Sequence, residues 1–206
     1  TIVSGHSYQS KEPGITITMN GIFKKQITKS QAQEGELIYL SKPLGTGYLL
    51  AAYFYNSELL SSFDFQKLMI WMKKGNKRIS EISKSFKSKI TTDISGFGLA
   101  SHLSDICKSS GLSAEIELNE EILINKNIEI LEKFKSTGFK NNYSSSANEI
   151  SISDKNKLQN ILYDPQTNGP LLISIKKEDQ IKFEKEFKSV IGFSPILLGQ
   201  FKKFKN

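Results

Sequence analysis

A second cysteine, a membrane-length apolar run and a concentrated basic block are all absent from this chain of 206 residues. Because Cys107 is the single cysteine, no disulfide can form within the chain, which fits a reducing compartment and predicts a cytoplasmic protein. Cys107 falls on the apolar side of a predicted helix, so we expect a buried structural thiol rather than a nucleophile. The missing apolar run and the missing signal-peptide pattern predict that no membrane is a partner.

The positive charge of the chain is one feature of nucleic-acid-binding proteins, since the formal net charge is +7 and the pI is about 9.3. The lysines are scattered among Ser, Asn and Glu, and the densest run, residues 73–78, is typical of a solvated helix end. We therefore expect no nucleic-acid partner, although a basic surface helps to attract an anionic nucleotide. A hydrophobic content of 38% is enough for a substantial core, in one domain or in one domain with an appendage.

Period-two and helical patterns alternate along the chain without internal repeats. The predicted strands are 15–20, 36–41, 89–92, 112–118, 171–175 and 196–199, and residues 149–152 predict a short strand or an extended segment. The predicted helices are 48–56, 65–86, a helix after Gly98, 128–135, 155–163 and 177–190. Gly75 marks either a close packing contact or a break in the second helix. Residues 138–146, rich in Asn and Ser, predict a loop, and 202–206 predict a frayed tail. The predicted fold is α/β (α+β), a mixed sheet covered by helices mostly on one face.

The most informative segment is residues 91–98, TTDISGFG. It places Asp93 at a predicted strand end and follows it with Gly96, Gly98 and a helix, for which Ser95 is the expected N-cap. Glycines let a backbone approach a ligand closely, a carboxylate suits a hard cation, and the N–H groups of a helix start suit phosphate. The segment alone predicts a magnesium–phosphate site, while the alternative, an Asp that only caps or decorates a turn, stays open.

Four short motifs follow one another along the chain. They are Gly5-His6-Ser7 with Glu12-Pro13, LSKPLGTG at 40–47, TDISGFG at 92–98, and DPQT at 164–167 before an apolar strand. In this order and at these spacings they resemble the C-terminal half of selenophosphate synthetase (selenide, water dikinase). The wider superfamily includes aminoimidazole ribonucleotide synthetase, thiamine monophosphate kinase and a hydrogenase-maturation protein, all of which use ATP. The KPLG and DPQT segments favour the selenium branch.

The resemblance implies a function and a set of site residues. It implies that ATP and selenide are converted with water to selenophosphate, AMP and phosphate, with Mg²⁺ as the metal and Asp93 as a metal ligand. The residues that it assigns to the nucleotide are Ser4, Gly5, His6, Ser7, Gly96 and Gly98. Asp164 and Thr167 are expected to structure their loop rather than to take part in chemistry.

The resemblance also implies that part of the enzyme precedes this chain. The family's reactive cysteine or selenocysteine, its partner lysine and its remaining metal-binding aspartates belong to an N-terminal domain, so no catalytic residue is expected here. We expect residues 1–22 to be the remnant of that domain (its last strand and phosphate loop) and 23–206 to be the C-terminal domain. The chain begins without Met, and we expect a fragment that is inactive alone. The whole protein is expected to form a homodimer through the absent domain, and without it the strand around 15–19 is expected to pair abnormally or to lose its order.

Some positions depart from the family pattern. Ser4 stands where a glycine is usual, Lys73 stands where the family has Asn, and Asn168-Gly169-Pro170 replaces Ser-Gly-Gly. Residues 137–142, TGFKNN, match only weakly a Gly-Gly-Thr-x-x-Asn loop. A proline at position 170 removes a backbone donor.

Two alternatives to a selenophosphate synthetase stay open. One is another ATP-dependent enzyme of the superfamily with a different acceptor, and the other is a non-catalytic nucleotide-binding or regulatory module.

Overall fold

A computed structural model of the protein describes residues 5, 7, 9, 11, 14–18, 20–22, 28–55, 58–151 and 156–204. The strands are β1 (Leu37–Leu40), β2 (Thr91–Asp93), β3 (Leu112–Ile116), β4 (Leu171–Ile175) and β5 (Ile196–Lys203). The helices are α1 (Thr46–Phe54), α2 (Ser62–Lys73), α3 (Lys77–Ser85), α4 (Gly98–Ser110), α5 (Ile128–Lys133), α6 (Phe139–Ser146) and α7 (Gln180–Ile191). Short 3₁₀ helices span Glu120–Ile122, Ala147–Glu149, Gln159–Tyr163 and Lys177–Asp179.

The five strands form one sheet in the order β2-β4-β1-β5-β3, and each pairing between neighbours is antiparallel. The predicted α/β class is confirmed, and the sheet proves to be antiparallel throughout its described strands. Strand β2 lies at one edge, where Asp93 pairs with Leu171 of β4. This register places the end of β2 beside the chain that enters β4.

Helices cover both faces of the sheet. Alternate residues of each strand point to opposite sides, so β1 and β4 contribute side chains to both hydrophobic clusters. On β1, Ile38 and Leu40 join the larger core with residues of α1, α2, α4 and α5. Leu37 and Tyr39 face the other way and pack with side chains of α3 and α7. Most helices thus lie on one face, as predicted, while α3 and α7 cover the second. Within the described residues, no helix combines the length and the apolar character that a membrane crossing needs.

The long helix predicted over 65–86 is two helices, α2 and α3. Gly75 lies between them, and a Cβ added there would meet no heavy atom within 4 Å, so it marks a break and not a close contact. Helix α2 begins with a capping box, in which Ser61 and Asp64 satisfy each other's backbone N–H groups. Lys73 and Lys77 are exposed at the two helix ends, in line with a solvated basic run.

Residues 138–146 were predicted as a loop, and this prediction is wrong because Gly138 is the N-cap of helix α6 and the other residues form it. Asn and Ser favour turns in isolation, but here tertiary packing decides. Asn142 and Ser146 are buried, and the hydroxyl groups of Ser145 and Ser146 both donate to the Asn142 carbonyl oxygen, at 3.0 and 2.7 Å. Hydrogen bonds within the helix therefore satisfy these serine hydroxyl groups, so the polar composition is compatible with a helix.

The strand predicted over 15–20 is not observed. Residues 14–18 and 20 have no regular structure, Met19 lies outside the described residues, and Ile15 and Ile17 are 85% and 72% exposed. Alternation can define a face, but a strand also needs an edge with which to pair. Residues 149–152 were predicted as a short strand or an extended segment. Glu149 ends a 3₁₀ helix, Ile150 has an extended backbone outside any strand, and Ile152 lies outside the described residues.

Three further boundaries differ from the prediction. Strand β5 continues through Lys203, so residues 202 and 203 are not frayed, while 205 and 206 lie outside the described residues. The helix predicted over 155–163 is a 3₁₀ helix at Gln159–Tyr163, and residue 155 is not described. The predicted helix over 177–190 is a 3₁₀ turn followed by α7, which ends one residue later than predicted.

Candidate functional site

Three of the four sequence motifs meet at the start of helix α1. The link is Gln166, whose backbone N–H donates to the Ser95 carbonyl oxygen at 3.0 Å. Its side-chain oxygen, Oε1, accepts from the backbone N–H of Gly45 at 2.9 Å. A residue of the 164–167 segment therefore holds both the turn after Asp93 and the glycine turn before α1.

The 164–167 segment also caps α1. Gln166 Oε1 accepts from the Thr46 N–H and the Thr46 hydroxyl group, both at 3.2 Å. The Gly47 N–H donates to Asp164 Oδ2 at 3.1 Å, and the Thr167 N–H donates to Thr46 Oγ1 at 2.8 Å. Because the protein itself uses these donors, this helix start is not open to a phosphate. The arrangement agrees with the loop-structuring role expected of Asp164 and Thr167.

The two glycines before and within α1 are required by packing. Gly45 has a φ of 124°, in the region that favours glycine. A Cβ added to Gly47 would overlap the Pro165 carbonyl oxygen and would lie 2.5 Å from Asp164 Oδ1. The GTG sequence therefore serves the close approach of the 164–165 backbone rather than that of a ligand.

Asp164 is a buried carboxyl group with an altered pKa. It is 1% exposed, and burial raises its pKa to about 7, against the opposing effect of hydrogen bonds from Gln166 and the Gly47 N–H. The nearby Tyr48 N–H also lowers this pKa, but Oδ1 has no hydrogen-bond partner of good geometry among the described residues. The charged form is therefore disfavoured in the folded protein, although a helix start lies beside it.

We expect Asp164→Asn to remove a pH dependence of stability. The carboxyl pKa is raised in the folded state, so the stability linked to it is complete below the ordinary value of 3.8 and is lost as the pH rises towards about 7. Between about pH 5.5 and about pH 8, the free energy of unfolding of the wild type should fall by about 2 kcal/mol more than that of the variant. Urea unfolding at both pH values measures this difference, and equal pH dependence in the two proteins would contradict it.

The turn after β2 leaves Asp93 exposed at the sheet edge. The Ile94 N–H donates to the Pro170 carbonyl oxygen at 2.8 Å, which ties the turn to the segment entering β4. Helix α4 begins at Gly98 with Phe97 in the N-cap position and without a side-chain cap, so the prediction of Ser95 as N-cap is wrong. Ser95 instead uses its carbonyl oxygen, which accepts from Gly98 at 3.1 Å.

The two glycines of this turn have different surroundings. Gly98 has a φ of 75°, and a Cβ added there would lie 2.9 Å from the Leu162 carbonyl oxygen, so this glycine faces the protein interior. Gly96 is exposed, and an added Cβ would meet no heavy atom within 4 Å. Of the pair, Gly96 has the open space that a ligand needs.

Asp93 can supply one ligand to a magnesium ion, but the described residues around it do not form a complete metal site. No group of three or more His, Cys, Asp or Glu side chains among the described residues is arranged to hold a metal. Mg²⁺ in phosphate-binding sites is usually held by one or two carboxylates, with phosphate oxygens and water as its other ligands. An exposed carboxylate at a strand end can supply one of these positions, and the other ligands would be phosphate oxygens, water or carboxylates from outside the described residues.

The segment with the first motif is not joined to this site in the described part of the chain. Ser4 and His6 lie outside the described residues. Gly5 and Ser7 are exposed, and no hydrogen bond among the described residues links them to the turn at 93–98. The expected contact of residues 4–7 with a nucleotide stays a prediction.

Sequence reasoning missed the role of Lys42. Its side chain is 2% exposed, and its Nζ donates to the carbonyl oxygens of Lys74 at 2.9 Å and Asn168 at 2.6 Å. Burial, with a smaller effect of the Lys74 charge, lowers the pKa of Lys42 to about 8, so its ammonium group stays mostly protonated at neutral pH. Lys42 thus joins the end of α2 to the chain entering β4, a role that only the tertiary structure reveals.

The fold accommodates Asn168-Gly169-Pro170, the segment that replaces the family's Ser-Gly-Gly. The Pro170 carbonyl oxygen, which proline retains, accepts from Ile94, so this contact does not need the missing N–H. Asn168 has a φ of 48°, and its side-chain amide donates to the Met72 carbonyl oxygen at 2.6 Å. A Cβ added to Gly169 would overlap the Ile94 carbonyl oxygen, so glycine is required there.

Two titratable groups of α4 lie near this region. Cys107 is only partly buried, not fully buried as predicted, but burial still raises the pKa of its thiol to about 11, which agrees with an unreactive structural role. Burial, and then the charge of Lys29, lower the pKa of His102, while Asp93 and Asp105 oppose this effect. Both ring nitrogens of His102 are buried and have no hydrogen-bond partner among the described residues. This burial favours the neutral form of His102.

Comparisons with known proteins place this geometry in context. A family model described as "AIR synthase related protein, C-terminal domain" matches residues 33–192. The selenide, water dikinase of Treponema denticola is 31% identical over 199 residues, which cover 94% of this chain and 55% of that protein. This chain therefore spans about half the length of the curated relative.

Solved structures share the fold at low sequence identity. Thiamine-monophosphate kinase from Stenotrophomonas maltophilia K279a has a TM-score of 0.61 and 13% identity, with 87% of this chain and 51% of that chain covered. The hydrogenase maturation protein HypE, in complex with ATP, has a TM-score of 0.54 and 14% identity, with 85% and 45% covered. These likenesses show a common fold.

Proposed function

This chain belongs to the AIR synthase related protein family through that family's C-terminal domain, and we propose that it is the C-terminal part of a selenophosphate synthetase. The whole enzyme would convert ATP, selenide and water to selenophosphate, AMP and phosphate. The chain would complete a Mg²⁺–ATP site whose remaining carboxylates and reactive residues lie in a preceding domain. It would be inactive alone, and the complete protein would be a cytoplasmic homodimer.

One observation supports the proposal most directly. The segments 40–47, 92–98 and 164–167, which carry the resemblance, are joined by the hydrogen bonds of Gln166. The rigid frame that results presents Asp93 and Gly96 at an exposed edge. The name of the Treponema denticola relative, selenide, water dikinase, supports the choice of acceptor.

The chain's own residues have distinct proposed roles. Asp93 would hold Mg²⁺, Gly96 and Gly98 would shape the wall beside the phosphates, and residues 4–7 would contact the phosphates across the dimer interface. When bound, Mg²⁺ neutralises charge that develops during phosphoryl transfer. The segment 164–167 would hold the wall in place without touching the substrate.

The proposal is tested by product analysis of the complete protein. With selenide, ATP and Mg²⁺, ³¹P NMR should detect selenophosphate and AMP in equal amounts, and omission of selenide should abolish selenophosphate. ATP binding without turnover would favour a non-catalytic module. Phosphoryl transfer to another acceptor, with no selenophosphate, would favour a different enzyme of the superfamily.

A further inference from the structure

Asn142 connects two parts of the candidate site through one side chain. It lies on α6 and is 5% exposed. Its Nδ2 group donates to the Gly96 carbonyl oxygen at 2.9 Å and to the Tyr163 carbonyl oxygen at 3.0 Å. Both hydrogens of the amide are thus used, one on each side of the site.

One of these carbonyl groups belongs to the turn after Asp93, and the other lies next to the segment that holds the start of α1. Gly96 follows Asp93 by three residues. A Cβ added there would meet no heavy atom within 4 Å, so neighbouring side chains restrain its position little. Tyr163 immediately precedes Asp164, which holds the start of α1. In the described part of the chain, the hydrogen bond to the Gly96 carbonyl oxygen comes from Asn142. Gln166 and Pro170 hold the turn at Ser95 and Ile94, whereas its position at Gly96 depends on α6.

Packing at the start of α6 reinforces the connection. A Cβ added to Gly138 would lie 2.9 Å from Pro165 Cγ and 3.9 Å from the Gly96 carbonyl oxygen. The ring of Tyr143 packs against that of Tyr163 with centroids 4.9 Å apart. Helix α6 is therefore seated on the same two segments that Asn142 joins, which fixes the position of its amide group.

We propose that Asn142 is a positioning residue that holds the turn at 93–98 in the conformation that receives Mg²⁺–ATP. It acts through the Gly96 carbonyl group and does not touch the ligand. The inference rests on the proposed function, because it concerns the same site. Residues that orient the groups around a metal commonly change its affinity by about 10–100-fold when they are replaced.

The test compares two variants of the complete protein. Asn142→Ala removes both donors to Gly96 and Tyr163. The matched control is Ser146→Ala, which lies on the same helix, is also buried, and loses a hydrogen bond to the Asn142 carbonyl oxygen without reaching Gly96. Calorimetry would give the Kd of Mg²⁺–ATP, and hydrogen exchange would report the amides of residues 94–98.

We expect Asn142→Ala to raise the Kd of Mg²⁺–ATP by about tenfold and to speed exchange at residues 94–98, while Ser146→Ala changes neither. If Asn142→Ala does not fold, Asn142→Ser provides the smaller change, and the same shifts are expected in the same direction. A wild-type Kd in the folded Asn142 variant would overturn the inference and leave the proposed function intact. Failure of the wild type to bind Mg²⁺–ATP would overturn both.

Discussion

Gly47→Ala is expected to lower the free energy of unfolding by about 3 kcal/mol or more. Gly47 lies inside α1, where alanine would ordinarily favour the helix by about 1 kcal/mol. The new Cβ, however, would overlap the Pro165 carbonyl oxygen and lie 2.5 Å from Asp164 Oδ1. Backbone cannot yield as a flexible side chain can, so the clash outweighs the gain in helix propensity. Chemical unfolding of the two proteins measures the difference.

Gly75→Ala is the matched control. Gly75 lies between α2 and α3, and an added Cβ meets no heavy atom within 4 Å. Its stability should stay within about 0.5 kcal/mol of the wild type. If Gly47→Ala were as stable as Gly75→Ala, the 164–165 backbone would not approach α1 as closely as described.

Lys42→Ala is expected to destabilise the protein by about 3 kcal/mol. The substitution empties the space of a side chain that is 2% exposed, and it removes the donor to the Lys74 and Asn168 carbonyl oxygens. The cost of burying the ammonium group, visible in its lowered pKa, is relieved and offsets part of this loss. Unfolding by urea gives the net effect.

Two further variants separate packing from charge. Lys42→Met keeps most of the buried stem and should cost less than Lys42→Ala, because it removes the donor alone. Lys73→Ala, at the exposed end of α2, should be within about 0.5 kcal/mol of the wild type. A cost for Lys42→Ala as small as that for Lys73→Ala would refute the bridging role of Lys42.

Local signals in the sequence predicted much of the sheet. The apolar run at 171–175 is strand β4 at those bounds, because a strand buried on both faces needs no alternation. The pattern at 36–41 contains β1. By contrast, residues 15–20 alternate well, but the described ones (15–18 and 20) form no strand, since pairing depends on a neighbouring edge that periodicity does not describe.

The candidate site was predicted only in part, for a similar reason. Motif order pointed to Asp93, Gly96 and Gly98, and the structure joins their turn to the segment at 164–167. The contacts that organise the turn are long-range, such as those of Gln166 and Asn142, and spacing along the chain does not reveal them. The Asn and Ser content of α6 even suggested a loop, because polar residues that cap and turn in isolation can also satisfy a buried helix.

The central claim is that this chain supplies a magnesium ligand to an ATP site, and the most direct measurement is calorimetric titration of the complete protein with Mg²⁺–ATP. We predict binding that requires Mg²⁺ and that Asp93→Asn weakens by about 100-fold, the upper end of the range for replaced residues around a metal. Asp105→Asn is the control, since Asp105 is an exposed residue of α4 that pairs with Lys29 at 2.9 Å. Equal affinity in the wild type and both variants, or no binding by a folded wild type, would contradict the claim.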